Sequence, residues 1–578
     1  MIFRRLVRYV QPHWRVFLFA FILLFIATMI EIGLPLGISY YIDHFLLPKH
    51  WIIREVLLFC AIYFGCQVLS ALLLYKQEIR FQKIAQSIIR RMRIEVFSKV
   101  QQLSLAYFDR TPTGSMITRI TNDTESIRDL YVSVLASLLQ NSIFIIGVLV
   151  GLFILDPGWA LTSLVLFPLF YMLIATYRKV SRPIFQKMRS KLSQLNTHLN
   201  ETLQGMSVIQ VFSQEARLYE QFRGLNQDHF QLRIKGIQAD ALLLRPATDF
   251  LWILVLIVIL QFFGWQAIHA EIKIGVLYGF INLINRVFEP LQQIVTQLPR
   301  YQESIVSAER VFQLLDQQDL APQQLGNDKI SIDKGLVEFR NVSFAYSNGE
   351  LVLDEVSFCI EPGQTVGLVG HTGSGKSTIV QLLLRFYEPT SGEILLEGKP
   401  LARFSEQELR TKIGLVLQDS VLFHGSVRSN IGLDHPSITD QQIINAAQLV
   451  QADPFIRRLP NGYDQIITDG GTTLSSGEKQ LLAFARTMAL MPKILVLDEA
   501  TAHIDTETEE LIQQAMIKMR KDRTTFIIAH RLSTIRDADQ ILVLDRGRIV
   551  ERGTHKTLVN QGGIYAQMDQ MQNGIVVG

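Results

Sequence analysis

The stretch Thr365-Val366-Gly367-Leu368-Val369-Gly370-His371-Thr372-Gly373-Ser374-Gly375-Lys376-Ser377-Thr378 decides the fold of the C-terminal half. From Gly370 to Ser377 it reads G-x-x-x-x-G-K-S, a phosphate-binding loop. Thr365–Val369 is short, apolar and β-prone, so it reads as a buried strand. The run from Ser377 to Phe386 is unbroken by Gly or Pro and reads as a helix. Strand, glycine loop and helix in that order are the setting this motif requires. Glycines let backbone N–H groups curl around phosphates, and the positive end of the next helix points at the same anion. Lys376 would reach the β- and γ-phosphates and the Ser377 hydroxyl would ligate Mg²⁺. Gly370, His371, Thr372, Gly373, Ser374, Gly375, Lys376, Ser377 and Thr378 are therefore expected to form a nucleoside triphosphate site.

Three further strands end in polar groups. Ile413–Leu417 ends at Gln418, Ile494–Leu497 at Asp498 and Glu499, and Thr524–Ala529 at His530. In open parallel sheets ligands bind at the carboxyl ends of strands, so these residues are expected to converge on the loop's edge. Asp498 would hold Mg²⁺ and Glu499 would polarise the attacking water as general base. Gln418 would touch both metal and water, and His530 would hydrogen-bond the γ-phosphate. Two strands, Leu336–Tyr346 and Leu351–Ile360, precede the loop. Tyr346 is placed to stack on adenine, although taken alone it reads better as a half-exposed strand aromatic.

Going toward the N-terminus, the composition changes. The chain has 578 residues, 48% hydrophobic and only 19% charged, with a net charge of +3. That balance gives no reason to expect a nucleic-acid partner. Three cysteines without a repeating spacing exclude a disulfide framework or a zinc site and read as buried thiols. Six runs have the roughly 20 mostly apolar residues a bilayer span needs: Val16–Tyr40, Val56–Leu74, Val132–Leu155, Trp159–Tyr177, Thr248–Ile268 and Ile274–Leu298. Lys and Arg crowd the N-terminus and the two long segments after the second and fourth runs, for example Arg4, Arg5, Arg90, Arg91, Arg93, Arg178 and Lys179. The basic side faces the cytoplasm, so both termini and the nucleotide half are expected there. The two long segments read as helices leaving the membrane, with turns near Asp109–Gly114 and Gln204–Ser207. Within the spans, Arg245/Asp249 and Arg286/Glu289 read as intrahelical ion pairs. Glu31 has no local partner and is the better candidate for lining a polar cavity.

The expected architecture is a six-span α-helical domain with long cytoplasmic extensions (residues 1–300), a linker (301–335) and an α/β P-loop nucleotide-binding domain (336–578). At this point the chain resembles the ATP-binding cassette (ABC) transporters, and specifically exporters of half size. Leu474-Ser475-Ser476-Gly477-Glu478-Lys479-Gln480 is similar to the family signature, about twenty residues before the Asp498 strand. The resemblance implies two cassettes paired head to tail. Ser475 and Gly477 of one would close over ATP bound to the other. It also implies that Asp505 communicates between sites and that Asp469 meets the opposite cytoplasmic loop. The usual signature is Leu-Ser-Gly-Gly-Gln, and here Ser476 and Glu478 depart from it. After Glu499 the stretch Ala500-Thr501-Ala502-His503-Ile504-Asp505 also departs from the usual Ala-Thr-Ser-Ala-Leu-Asp. An acid near a phosphate repels it, so the signature site is expected to be the weaker of two. That asymmetry points to a heterodimer, similar to the second subunit of bacterial multidrug-resistance-like exporters.

The apolar spans with few charges point to amphipathic or hydrophobic small-molecule cargo, and the resemblance implies its export by a multi-pass protein of a bacterial inner membrane, in contact with membrane lipid and paired with a second half-transporter. A homodimeric lipid flippase and an ATP-gated channel or regulatory membrane ATPase remain alternatives. An intact Glu499 argues against a pure gate.

Overall fold

The computed structural model describes residues 2–47, 52–163, 166–243, 245–269, 273–324, 330–346, 349–468, 470–498, 506–529 and 531–572. These fall into two compact units, residues 1–101 with 113–316, and residues 102–112 with 317–578.

The first unit is helical throughout. Its principal helices are Trp14–Tyr41, Ile53–Gln101, Ala136–Leu155, Leu166–Gln204, Glu215–Leu243, Arg245–His269 and Ile274–Leu315. In a bilayer every backbone polar group must be satisfied within the segment, and a helix does this for any apolar sequence. Among the described residues, the segments Ile2–Leu46, Ile53–Gln101, Thr113–Leu155 and Glu215–Trp265 are long and apolar enough to cross a membrane. Helices also occupy the expected fourth and sixth positions, Pro157–Ser163 with Leu166–Gln204 and Ile274–Leu315. The last of these carries Arg286, Glu289 and Pro290, which dilute its apolarity. It continues to Leu315, so residues 301–315, read from their polarity as linker, are its end. Small residues let these helices approach closely. A Cβ on Gly147 would lie 2.3 Å from Ile32 Cδ1.

Two readings are corrected here. Arg286 does not pair with Glu289. Its Nη1 donates to the main-chain carbonyl of Glu31 at 3.2 Å, while Glu289 accepts from Gln293 at 3.3 Å. Cys60 is exposed, and Cys66 and Cys359 are half-buried, so none of the three is the buried thiol expected. The side chain of Arg245 lies outside the described residues.

The second unit contains β1 (Val337–Ala345), β2 (Leu351–Ile360), β3 (Thr365–Gly370), β4 (Ser391–Leu396), β5 (Lys399–Pro400), β6 (Ile413–Val416), β7 (Gly425–Ser426), β8 (Ile466–Ile467), β9 (Ile494–Asp498), β10 (Thr524–Ile528), β11 (Gln540–Asp545) and β12 (Arg548–Gly553). The main sheet has the order β12-β11-β3-β10-β9-β6, and every pair from β11 to β6 is parallel. β3, β9 and β10 are almost wholly buried apolar runs, as strands covered on both faces must be. An antiparallel sheet, β2-β1-β4-β5, shares a core with one face of it through Phe339, Phe358 and Phe526. The opposite face is covered by the helices Asp440–Leu449, Ser476–Ala489 and Thr506–Arg520.

Residues 102–112 join this second unit although they leave the helix Ile53–Gln101 of the first. Ser104 N–H donates to Asp319 O and Ala321 N–H to Gln102 O, both at 2.9 Å, around a Leu103–Leu320 bridge. The Tyr387 hydroxyl donates to Asp109. Burial and this bond push the Tyr387 phenol above its ordinary pKa. The turn at 204–213 behaves differently. The six-residue helix Met206–Val211 belongs to the first unit and exposes Val208 and Val211, with Leu203 and Phe212 exposed on either side of it.

Candidate ATP site and signature

The loop after β3 is shaped by glycine. Gly373 and Gly375 adopt φ of +82° and +102°, which side chains disfavour. A Cβ on Gly370 would fall 2.2 Å from Leu544 O on the neighbouring β11, whereas at Gly373 it would meet nothing within 4 Å. The loop is thus tight against the sheet and open on its outer side. Lys376 is 6% exposed, and its Nζ donates to Gly370 O and His371 O at 2.9 Å each. The ammonium therefore sits inside the loop. The helix Lys376–Leu383 begins directly behind it, with Gly375 at its N-cap and no side chain capping it. Ser377 is exposed at the start of that helix, while Ser374 and Thr378 are buried.

The sheet register brings the other groups to the same edge. Ile528 of β10 lies opposite both Leu368 of β3 and Asp498 of β9, and Val416 of β6 lies opposite Leu497. Since all four strands run parallel, the loop, Asp498 and Gln418, two residues past Val416, share the carboxyl edge. Glu499, His530, Asp505 and Asp469 lie outside the described residues.

Tyr346 is fixed at one flank. Its hydroxyl donates to Gln381 Oε1 at 2.7 Å and lies 3.2 Å from Thr378 Oγ1. Its ring meets Phe344 and Tyr387 edge-on at 4.8 and 5.3 Å. Thr378, read from sequence as a nucleotide contact, is thereby brought to Tyr346. Tyr387 joins this aromatic group to Asp109. Nothing local in the sequence signals that link, because its ends are 278 residues apart.

The signature forms the start of the helix Ser476–Ala489. Ser475 is its N-cap. Ser475 Oγ accepts from Glu478 N–H at 3.2 Å, and Glu478 Oε2 accepts from Ser475 N–H at 2.9 Å. This is a reciprocal capping box, legible in sequence as Ser-x-x-Glu. Glu478, read as a departure that repels phosphate, thus also closes the helix start. Ser475 and Glu478 border a cleft of about 500 Å³ with Asp453, Phe455, Arg458 and Leu511. Gly477 is buried in the first turn.

The same helix is tied to the segment after Gln418. Ser420 Oγ donates to Gln480 Oε1, and Arg486 donates to Val421 O and Asn430 O at 2.8 Å each. Thr487 Oγ1 donates to Leu415 O at 3.0 Å. Sequence reading missed Ser420, Gln480 and Arg486.

The residues present fit a triphosphate with Mg²⁺. The loop has the open glycine that a phosphate would occupy, and one hydroxyl, one amide and one carboxylate reach its edge. Among the described residues no group of three His, Cys, Asp or Glu forms an all-protein cage. Mg²⁺ in phosphate sites takes one or two carboxylates with phosphate oxygens and water.

Comparison with known proteins agrees with this geometry. Residues 17–291 match the model of the ABC transporter transmembrane region, and residues 353–502 match that of the ABC transporter family. The chain is 42% identical to the ABC transporter ATP-binding protein exp8 of Streptococcus pneumoniae, covering 99% of this chain and 97% of that one. It is 44% identical to the multidrug resistance ABC transporter ATP-binding/permease protein YheH of Bacillus subtilis, covering 90% and 78%. It is 34% identical to the ATP-dependent lipid A-core flippase of Syntrophus aciditrophicus, covering 99% and 94%. A helical transmembrane region and a P-loop cassette in one chain, matched end to end by such relatives, make this protein a member of the ABC transporters, an exporter half that couples ATP hydrolysis to transport across a membrane.

Proposed function

We propose that the chain is the second half of a heterodimeric exporter that moves amphipathic or hydrophobic compounds out across a bacterial cytoplasmic membrane. Both termini and the cassette would lie in the cytoplasm, on the side of the Lys- and Arg-rich segments. The observation that carries the heterodimer is the carboxylate of Glu478 at the start of the signature helix, where the usual signature has a neutral glutamine. A signature whose first amide is bonded to its own carboxylate is a poor clamp for another chain's ATP. The site on this chain's own loop keeps Glu499, so a partner with an open signature would complete it. The exposed apolar turn at 204–213 supports a partner surface as well.

In this reading Lys376 and the loop amides hold the β- and γ-phosphates. Ser377, Asp498 and Gln418 hold Mg²⁺, which when bound neutralises charge on the phosphate oxygens. Glu499 takes a proton from the attacking water and His530 holds the γ-phosphate in line. Tyr346 stacks on adenine. Multidrug cargo is supported by the likeness to the multidrug resistance transporter of Bacillus subtilis. A homodimeric lipid flippase is the second reading, favoured by the name of the Syntrophus aciditrophicus relative.

Mass and ATPase rate of the chain purified alone in lipid nanodiscs test this. The expected result is a monomer or an inactive dimer, with turnover restored by a co-purified partner and abolished by Glu499→Gln. A dimer of this chain alone with turnover sensitive to Glu499→Gln would overturn the heterodimer and favour the flippase.

A further inference from the structure

β10 ends at Ile528, and Ala529 N–H still donates to Leu368 O of β3 at 3.2 Å. Three residues on, Leu532 opens a short 3-10 helix, Leu532–Ile535. The first N–H groups of any helix have no partner inside it. That of Leu532 donates to Gln572 Oε1 at 2.7 Å, forty residues further along the chain. Leu532 is 3% exposed, so loss of this acceptor would leave a donor on a buried residue without a partner. Arg531, just before it, donates to Glu509 of the helix Thr506–Arg520. Gln572 belongs to the last turn of the helix Ile564–Gln572, which is anchored independently. At its start Glu551 of β12 accepts from Tyr565 N–H at 3.1 Å, and the hydroxyl of the buried Tyr565 lies 2.9 Å from His555 Nδ1. One turn before its end Asp569 pairs with Arg536 at 3.4 Å.

The chain is therefore tied to the sheet at Ala529 and to the last helix at Leu532, and His530 stands between these two ties in sequence. We infer that Gln572 is a positioning residue for His530 in ATP hydrolysis. By holding the main chain two residues past His530, it narrows the range over which the imidazole can meet the γ-phosphate. Phosphoryl transfer is catalysed almost entirely by positioning and charge, and a misplacement of about 1 Å can cost roughly 100-fold. The helix Ile564–Gln572 is thus part of the hydrolytic machinery, although its sequence carries no nucleotide motif. The assignment rests on the role given to His530 above and adds the residue that holds it in place.

ATPase kinetics of the assembled transporter in lipid nanodiscs test this. Gln572→Leu keeps the bulk of the side chain and removes the acceptor. It should lower kcat about tenfold and leave the KM for ATP within about twofold, because the nucleotide is bound by the phosphate loop and not by this helix. Gln572→Glu keeps an acceptor oxygen at the same reach and should retain most of the parental kcat. Tyr565→Phe loosens the start of the same helix and spares the Leu532 bond, so kcat should stay at the parental value. His530→Ala is the reference and should lower kcat at least as far as Gln572→Leu. Parental kcat in Gln572→Leu, or equal losses in Gln572→Leu and Gln572→Glu, would overturn the assignment. So would a loss in Tyr565→Phe as large as that in Gln572→Leu, since general loosening of the helix would then account for both. Parental kcat in His530→Ala would instead defeat the role of His530 itself, and the inference with it.

Discussion

The helix Lys376–Leu383 starts behind a glycine loop and has no side-chain cap, while the helix Ser476–Ala489 starts with Ser475 and Glu478 locked together. Both N-termini carry the same partial positive charge and are anion sites in principle. The first leaves its amides to an incoming phosphate and uses a lysine, bonded to loop carbonyls, to hold the loop in shape. The second supplies its own anion. The difference is that between a site built for a ligand and one already half-satisfied by its own chain. Local stability and affinity compete for the same N–H groups.

The largest effect should come from removing the lysine. Lys376→Ala takes away two loop bonds and the phosphate-facing charge, so ATPase activity should fall by at least about 100-fold. A variant with near-normal turnover would erase the contrast between the two helix starts. Gly370→Ala should be next. Its Cβ would meet Leu544 O at 2.2 Å with φ at +151°, so the cassette should lose about 2 kcal/mol or more, visible as a lowered Tm. An unchanged Tm would mean the loop is not held against β11. Glu478→Gln keeps a capping side chain and removes the charge. Nucleotide trapped at the signature site should tighten about fivefold, near 1 kcal/mol, as counted by labelled ATP retained per transporter. Ser476→Gly should act in the same direction, and the contrast would lose its functional meaning if neither variant changed retention. The smallest effect belongs to Ser420→Ala, which removes one bond between the Gln418 segment and the signature helix. About 1 kcal/mol of stability is at stake. If that bond transmits closure, cargo-stimulated turnover should fall more than basal turnover.

What was legible in the sequence follows from range. β1, β2, β3, β6, β9 and β10 fall within a residue or two of their expected runs, because each is an apolar stretch with turn signals at its ends. The shared edge of the loop, Gln418 and Asp498 followed from parallel pairing, which is a property of the fold class. Arg286 was misassigned because helical spacing favours Glu289 by proximity. The better acceptor is the Glu31 carbonyl, left without its helical partner by Pro35 and more than 250 residues away. The Asp109–Tyr387 bond and the Ser420–Gln480 bond were illegible for the same reason. The capping box was the opposite case. Its four-residue pattern is local, so both the charge of Glu478 and the hydrogen bonds it makes are legible in the sequence.

The pairing of residues 102–104 with 319–321 also bears on biosynthesis. Synthesis runs from the N-terminus at about 5–20 residues per second. The segment 102–112 therefore leaves the ribosome at least ten seconds or so before the stretch it will join exists. Until then the backbone groups of Gln102 and Ser104 that bond to residues 319–321 have no such partner. A cassette produced from residue 317 onward would lack this segment and expose the complementary edge at Leu320. Maturation of the second unit thus waits on a loop closure across some two hundred residues, a slow step that only the full-length chain can take.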